Sequence, residues 1–180
     1  MFVRALLPAA LVACAAPAYN GQSGDASTAD YLGPAGRILY FQPAEVPAED
    51  VLYVQLQEGA WALRQGTRWR TAEPIATWDV ALAEDGISVD GTLVLPSPVG
   101  PGTTIGDATV ESLDDREVRY GTFENTATVT IASGDWAGEQ AWAKDFGPVR
   151  IEVRNAALDV RAWELVGYDD DGIGADTDVP

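Results

Sequence analysis

Three features of this 180-residue chain predict an all-β fold, one domain of about 9–11 antiparallel strands. Apolar residues recur with a period of two along most of its length, the spacing that puts alternate side chains on opposite faces of a pleated strand. Turn dipeptides punctuate that alternation, above all Asp85-Gly86 and Asp90-Gly91, which favour the left-handed angles of a tight hairpin. No segment offers a helical stripe longer than about two turns; the best candidate, Glu45 to Val51, is short and carries Pro47. A strand set with one apolar face must curl or double over, because an open sheet leaves that face wet and its edges unpaired. A curved sheet, half-barrel, barrel or sandwich meets this requirement, and the sequence does not rank them.

Taken in order, Ile38-Leu39-Tyr40-Phe41 is an apolar run ended by Pro43. Val51 to Gln57 alternates, with Leu52, Val54 and Leu56 on one face. Trp61 to Arg64 is read as turning at Gln65-Gly66 into Thr67 to Arg70, a hairpin. Ile75 to Leu82 places Trp78, Val80 and Leu82 on one side and Thr77, Asp79 and Ala81 on the other. Ile87 to Val89 and Thr92 to Leu95 follow the two Asp-Gly turns, and Pro96 to Gly102 is a loop. Thr103 to Leu113 and Arg116 to Tyr120 are strands on either side of Asp114-Asp115. Ala127, Val129 and Ile131 alternate with threonines, and Val149, Ile151 and Val153 alternate with Arg150, Glu152 and Arg154. Leu158 to Tyr168 supplies the last strand. β-Branched and aromatic residues dominate these runs.

The formal net charge is −17, from 28 acids and 11 bases, with no histidine. Such a balance argues against nucleic acid, which demands a basic footprint, and against peripheral binding to anionic lipid. Solubility accounts for the acidity more simply than cation binding does.

The first residues read as an export signal. Arg4 precedes the short apolar run Ala5 to Ala13, too short to span a bilayer. Leu11-Val12-Ala13-Cys14 resembles the lipobox of bacterial lipoproteins, and Cys14 is the one cysteine in the chain. The resemblance implies a signal peptide over 1–13 and lipidation of Cys14 as the new N-terminus. Two or three acyl chains there make attachment effectively permanent, since each buried methylene contributes about 0.8 kcal/mol. Ala15, in place of aspartate, implies the outer membrane. No second cysteine is present to form a disulfide. Residues 14–35, rich in Ala, Gly, Ser, Thr, Asp and Pro, read as a flexible linker. The β-domain is then 36–168 and the acidic tail 169–180.

Four stretches follow one another along the chain: Leu95-Pro96 to Gly102-Thr103, Val118 to Asn125, Ala141 to Arg150, and Trp163 to Tyr168. In this order they resemble a group of bacterial periplasmic β-proteins and lipoproteins of unknown function. That group carries Val-x-x-Gly-x-Phe, Trp-x-Ala-x-Gly-x-Gly-x-Val-Lys and Glu-Leu-x-x-Tyr elements. Here Asp145 replaces the first glycine of the tryptophan element and Arg150 its lysine. The resemblance implies a curved antiparallel sheet in the cell envelope and no reaction. Phe123, Trp142 and Tyr168 read as packing anchors, and Gly121 and Gly147 as strand-end positions needing positive φ or close approach.

Without histidine, and with one cysteine assigned to lipid, most hydrolase, redox and transition-metal sites lack their side chains. Carboxylates remain: Asp79, Glu84, Asp85, Asp90, Asp114, Asp115, Glu117, Glu124, Asp135 and Glu139. A glycosidase needs two of them about 5–10 Å apart across a cleft. Trp69, between Arg68 and Arg70, and Trp136, in a Gly-Asp-Trp-Ala-Gly loop, are the ligand-contact candidates. The tail residues Asp169, Asp171, Asp176 and Asp178 are the metal candidates, resembling the Asp/Gly calcium loops of extracellular repeat proteins, with calcium as the one cofactor they suggest. A disordered acidic tail competes with that reading. The function expected is a non-enzymatic envelope lipoprotein, a binding or structural β-module whose partners are the membrane through its lipid, an envelope protein or an apolar ligand. A carboxylate enzyme acting on glycans and a calcium-dependent surface or adhesion module are the alternatives.

Overall fold

The computed structural model describes residues 27–45, 51–154, 158 and 162–170, with Trp69 as backbone only. Cys14, the signal stretch 1–13 and the tail beyond Asp170 lie outside the described residues. Twelve strands run in chain order: β1 Ile38–Pro43, β2 Val51–Gln57, β3 Ala60–Gly66, β4 Glu73–Ala83, β5 Gly86–Val89 and β6 Thr92–Pro96. They continue as β7 Thr104–Ile105, β8 Ala108–Val118, β9 Gly121–Ile131, β10 Gly138–Ala143, β11 Gly147–Glu152 and β12 Ala162–Asp169.

All pairings among them are antiparallel, in the order β6-β5-β4-β3-β2-β1-β12-β11-β10-β9-β8-β7. The sheet therefore splits into two meanders, β1 to β6 and β7 to β12, joined where the first strand pairs with the last: Ile38 lies opposite Asp169 and Leu39 opposite Tyr168. The far ends curl until β6 approaches β8 and β9, so the sheet is a nearly closed barrel. Curling is the outcome expected of a long sheet with one apolar face. The fold is all-β, as the alternation predicts, with one strand more than the upper bound.

Side chains fill the concave side. Trp61, Trp78, Trp136, Trp142 and Trp163 are fully buried, and each such ring removes roughly 150–250 Å² from water. At 25 cal/mol per Å² that is about 4–6 kcal/mol per residue before entropy is set against it. Trp78 and Trp136 meet edge to face with centroids 4.9 Å apart, and Trp61 and Trp142 lie 5.7 Å apart. Ala127, Val129 and Ile131 point inward, as do Val149, Ile151 and Val153. On the convex side Ile38, Tyr40, Val51, Tyr53 and Ala72 form a second, smaller buried cluster, so β1 and β2 are covered on both faces.

Several local expectations are corrected. Gln65-Gly66 is no turn: both residues stay in β3, opposite Leu52 and Val51. The chain then makes a 3₁₀ turn at Trp69–Thr71 before β4. The hairpin turn lies instead at Glu58-Gly59, between the partners Gln57 and Ala60, with Gly59 at φ 74. Asp114-Asp115 does not break a strand; β8 runs through it, and a register shift between Asp114 and Arg116 absorbs the irregularity. The break falls earlier, at Gly106-Asp107, which turns β7 into β8. Asp90-Gly91 does form the expected tight turn, with φ 48 and 76 between the partners Val89 and Thr92.

The linker boundary also moves. Residues 27–35 are packed on the barrel, not free: a 3₁₀ turn spans Thr28–Tyr31, and Tyr31 is buried in the core. Asp145 donates its backbone N–H to the Asp30 carbonyl at 2.6 Å. A Cβ on Gly33 would collide with the Phe146 carbonyl, and its φ of 72 suits glycine alone. An anchoring tyrosine inside a small-residue stretch is what composition averages away. At the other end Asp169 belongs to β12.

Candidate functional site

Antiparallel topology gathers five chain positions at one end of the barrel: the start of β1, the β8–β9 turn, the β10–β11 turn, the start of β9 and the end of β12. Each brings an aromatic or basic side chain. Phe123 and Phe146 have ring centroids 4.7 Å apart. Phe146 and Tyr168 meet edge to face at 5.0 Å, and Tyr168 and Tyr120 at 5.5 Å. The Arg37 guanidinium lies 4.4 Å from the Phe146 ring centre and 4.9 Å from that of Tyr168, the cation–π range.

Two polar contacts hold Arg37 there. Its Nε pairs with Asp170 Oδ1 at 2.5 Å, and Nη1 donates to the Phe146 carbonyl at 3.2 Å. The inner members, Phe123 and Phe146, pack against the main core. The outer ones reach solvent: Tyr120 is 48% exposed and Tyr168 37%. The Tyr120 hydroxyl is pushed up from 10.0 by partial desolvation, by the Tyr168 hydroxyl beside it and by the Asp170 charge. It stays a neutral donor and acceptor at any physiological pH.

Phe123 and Tyr168, read from sequence as packing anchors, thus belong to one stack together with Phe146. Trp142, read the same way, is core. Asp145, which stands in the place of a glycine, takes a left-handed angle, φ 60, and Gly147 has the expected positive φ, 113. Those two backbone positions shape the turn that delivers Phe146. The contribution of Arg37 has no local signal, because its partners are 109 and 133 residues away.

Trp136 does not serve as an exposed contact: it is 2% exposed and packs edge-on against Trp78. Its Gly-Asp-Trp-Ala-Gly loop folds the indole under the barrel instead of presenting it. Trp69 lies in the 3₁₀ turn before β4. Of the metal candidates only Asp169 is described; its carboxylate faces the Tyr40 hydroxyl and helps raise it. Asp171, Asp176 and Asp178 lie outside the described residues. Among the described residues no group of three or more His, Cys, Asp or Glu side chains is arranged to hold a metal ion.

The candidate carboxylates occupy turns and outward strand faces, exposed except for half-buried Glu139. Asp79 and Asp90 are brought together, but the Asp90 carboxylate accepts the Asp79 backbone N–H at 2.8 Å, which makes it a turn brace. Glu139 belongs to a charge ladder on the convex face. Arg150 pairs with Glu152 and Glu164 at 2.8 Å each and lies 3.1 Å from Glu139, which also holds Arg116 at 2.6 Å. Burial alone would lower the Arg150 pKa, and the three carboxylates outweigh it and raise it.

No family model matches this chain, and neither a curated protein nor a solved structure gives a significant match to it.

Proposed function

We propose that this chain is a non-enzymatic lipoprotein of the bacterial cell envelope, held at the outer membrane by lipid on Cys14. Its barrel is a rigid module that makes contacts through the aromatic end face. The single observation that carries the binding role is the stack of Tyr120, Phe123, Phe146 and Tyr168 clamped by Arg37, whose two outer tyrosines stay in solvent. Tyrosine presents a large flat area at low entropic cost, with a hydroxyl for polar partners. A fixed, partly exposed aromatic group continuous with the core is the usual form of a contact site.

Two further features favour binding over hydrolysis. The concave face, which an apolar ligand would need, is occupied by the five buried indoles. Of the candidate carboxylates, all but Glu139 are exposed, and Glu139 pairs with Arg116 and Arg150. The anchoring half of the reading is tested by growing cells with an alkyne fatty acid. The wild-type chain takes up label and fractionates with outer membrane, and Cys14→Ser does neither. Label-free wild-type protein in the soluble fraction overturns the reading.

A further inference from the structure

We infer that the aromatic end face is the membrane-proximal end of the domain and that its tyrosines rest on zwitterionic lipid headgroups. This deepens the proposed function and rests on lipidation of Cys14.

Residues 27–30 are held beside this face. The Asp30 N–H donates to the Ser27 carbonyl at 2.9 Å, keeping Ser27 within one turn of Asp30. Asp30 is bound to the tip of the β10–β11 turn, through the Asp145 N–H at 2.6 Å and Lys144 at 3.7 Å. Phe146, the next residue of that turn, is in the stack with Phe123 and Tyr168. The chain therefore leaves the barrel beside the aromatic face.

Tether length then orients the body. Because residues 27–35 are packed, only the 12 residues 15–26 separate Cys14 from Ser27. For the flexible linker that its composition implies, the r.m.s. reach is roughly 20 Å. A domain of this size is roughly 35 Å across. Turning the opposite end to the bilayer would stretch the tether close to its limit of about 45 Å. At its relaxed length it brings the aromatic end down.

The chemistry of the face fits an interface. Tyrosine is enriched where one side of a ring is apolar and the other wet. The charges at this end do not add up to a positive patch: Arg37 and Lys144 stand among Asp30, Asp145, Asp169 and Asp170. A net charge of −17 opposes an anionic surface. That leaves zwitterionic headgroups, such as phosphatidylethanolamine, as the surface this face suits.

The test uses the lipidated full-length protein in phosphatidylethanolamine/phosphatidylcholine vesicles. Cys14 is the one native cysteine, so Thr122→Cys at the aromatic end and Ala132→Cys at the opposite end each accept a single spin label. The Thr122 label is expected to be several-fold less accessible to a nickel chelate than the Ala132 label, and Tyr120→Ser/Tyr168→Ser should narrow the difference. Equal accessibility in protein that carries its fatty acid overturns this inference and leaves the anchor standing. Absence of fatty acid overturns both. Protection that grows as anionic lipid is added overturns the assignment to zwitterionic headgroups.

Discussion

Gln140 clasps the backbone of Glu152 from both sides: its Nε2 donates to the Glu152 carbonyl at 2.7 Å, and its Oε1 accepts the Glu152 N–H at 3.0 Å. The same Nε2 also donates to the Trp136 carbonyl at 3.1 Å. Gln140 is fully buried and sits just before the register shift between β10 and β11. Ala141 and Arg150 are the last pair of that ladder, and the Gln140 side chain carries the hydrogen bonding on to Glu152 beyond it. Gln140→Leu keeps the volume and leaves three backbone groups without a partner. Each such group costs about 1–3 kcal/mol, part of which returns where water reaches half-buried Glu152. The expected loss is about 2–4 kcal/mol, seen as a lower urea midpoint at unchanged m-value. A loss below about 0.5 kcal/mol would show that the clasp is dispensable.

Tyr40 makes stability fall in strong alkali. Burial, the charge of Asp169 and a hydrogen bond to that carboxylate push its hydroxyl from 10.0 up to about 12. The folded state holds this proton more tightly than the unfolded state. The resulting stabilisation is present in full below pH 10 and disappears as pH rises towards 12. The gap corresponds to at most about 2–3 kcal/mol. Tyr31 and Tyr120 are raised too and act in the same direction. Tyr40→Phe keeps the edge-to-face contact with Tyr53 at 5.2 Å and should flatten the decline between pH 9.5 and 11.5 in urea unfolding. An identical alkaline slope in wild type and variant would assign the effect elsewhere.

Trp136 separates a packing role from a ligand role. With its ring buried against Trp78, Trp136→Ala should cost about 3–5 kcal/mol, the usual range for removing a large aromatic from a core. A thermal melt reads this directly. A variant that melts like wild type would mean that the indole leaves the core in solution.

How far the sequence reaches is clear from particular residues. The strict alternation of Ala127, Val129 and Ile131 with threonines, and of Val149, Ile151 and Val153 with charged residues, assigns inward and outward faces correctly because a strand repeats every two residues. Asp90-Gly91 is legible because its angles are local. The pairing of Ile38 with Asp169 is not, since nothing in either segment names the other. The aromatic face fails for the same reason: Phe123 and Tyr168 stand out as large residues, but only the strand order joins them to Phe146 and Arg37. Gln140 escapes notice because a buried amide looks like an exposed one until its partners are known. Tyr31 hides in a stretch whose composition reads as linker, although one buried ring is enough to pin it.

Arg150 supplies the last prediction. It holds Glu139, Glu152 and Glu164 together on the convex face, with all contacts at 2.8–3.1 Å and its own side chain only 17% exposed. Removing it does more than delete ion pairs: it leaves three carboxylates crowded around an empty place, with Arg116 still reaching Glu139 alone. Breaking a fully buried pair costs about 3–5 kcal/mol, and partial exposure of Glu139 reduces that, so Arg150→Met should cost about 2 kcal/mol at pH 7. The repulsion is electrostatic, so the difference between variant and wild type should shrink in high salt, which screens exposed charges. Urea unfolding at two salt concentrations checks this. A difference that stays constant with salt would assign the role of Arg150 to the packing of its aliphatic stem and remove the electrostatic account of the ladder.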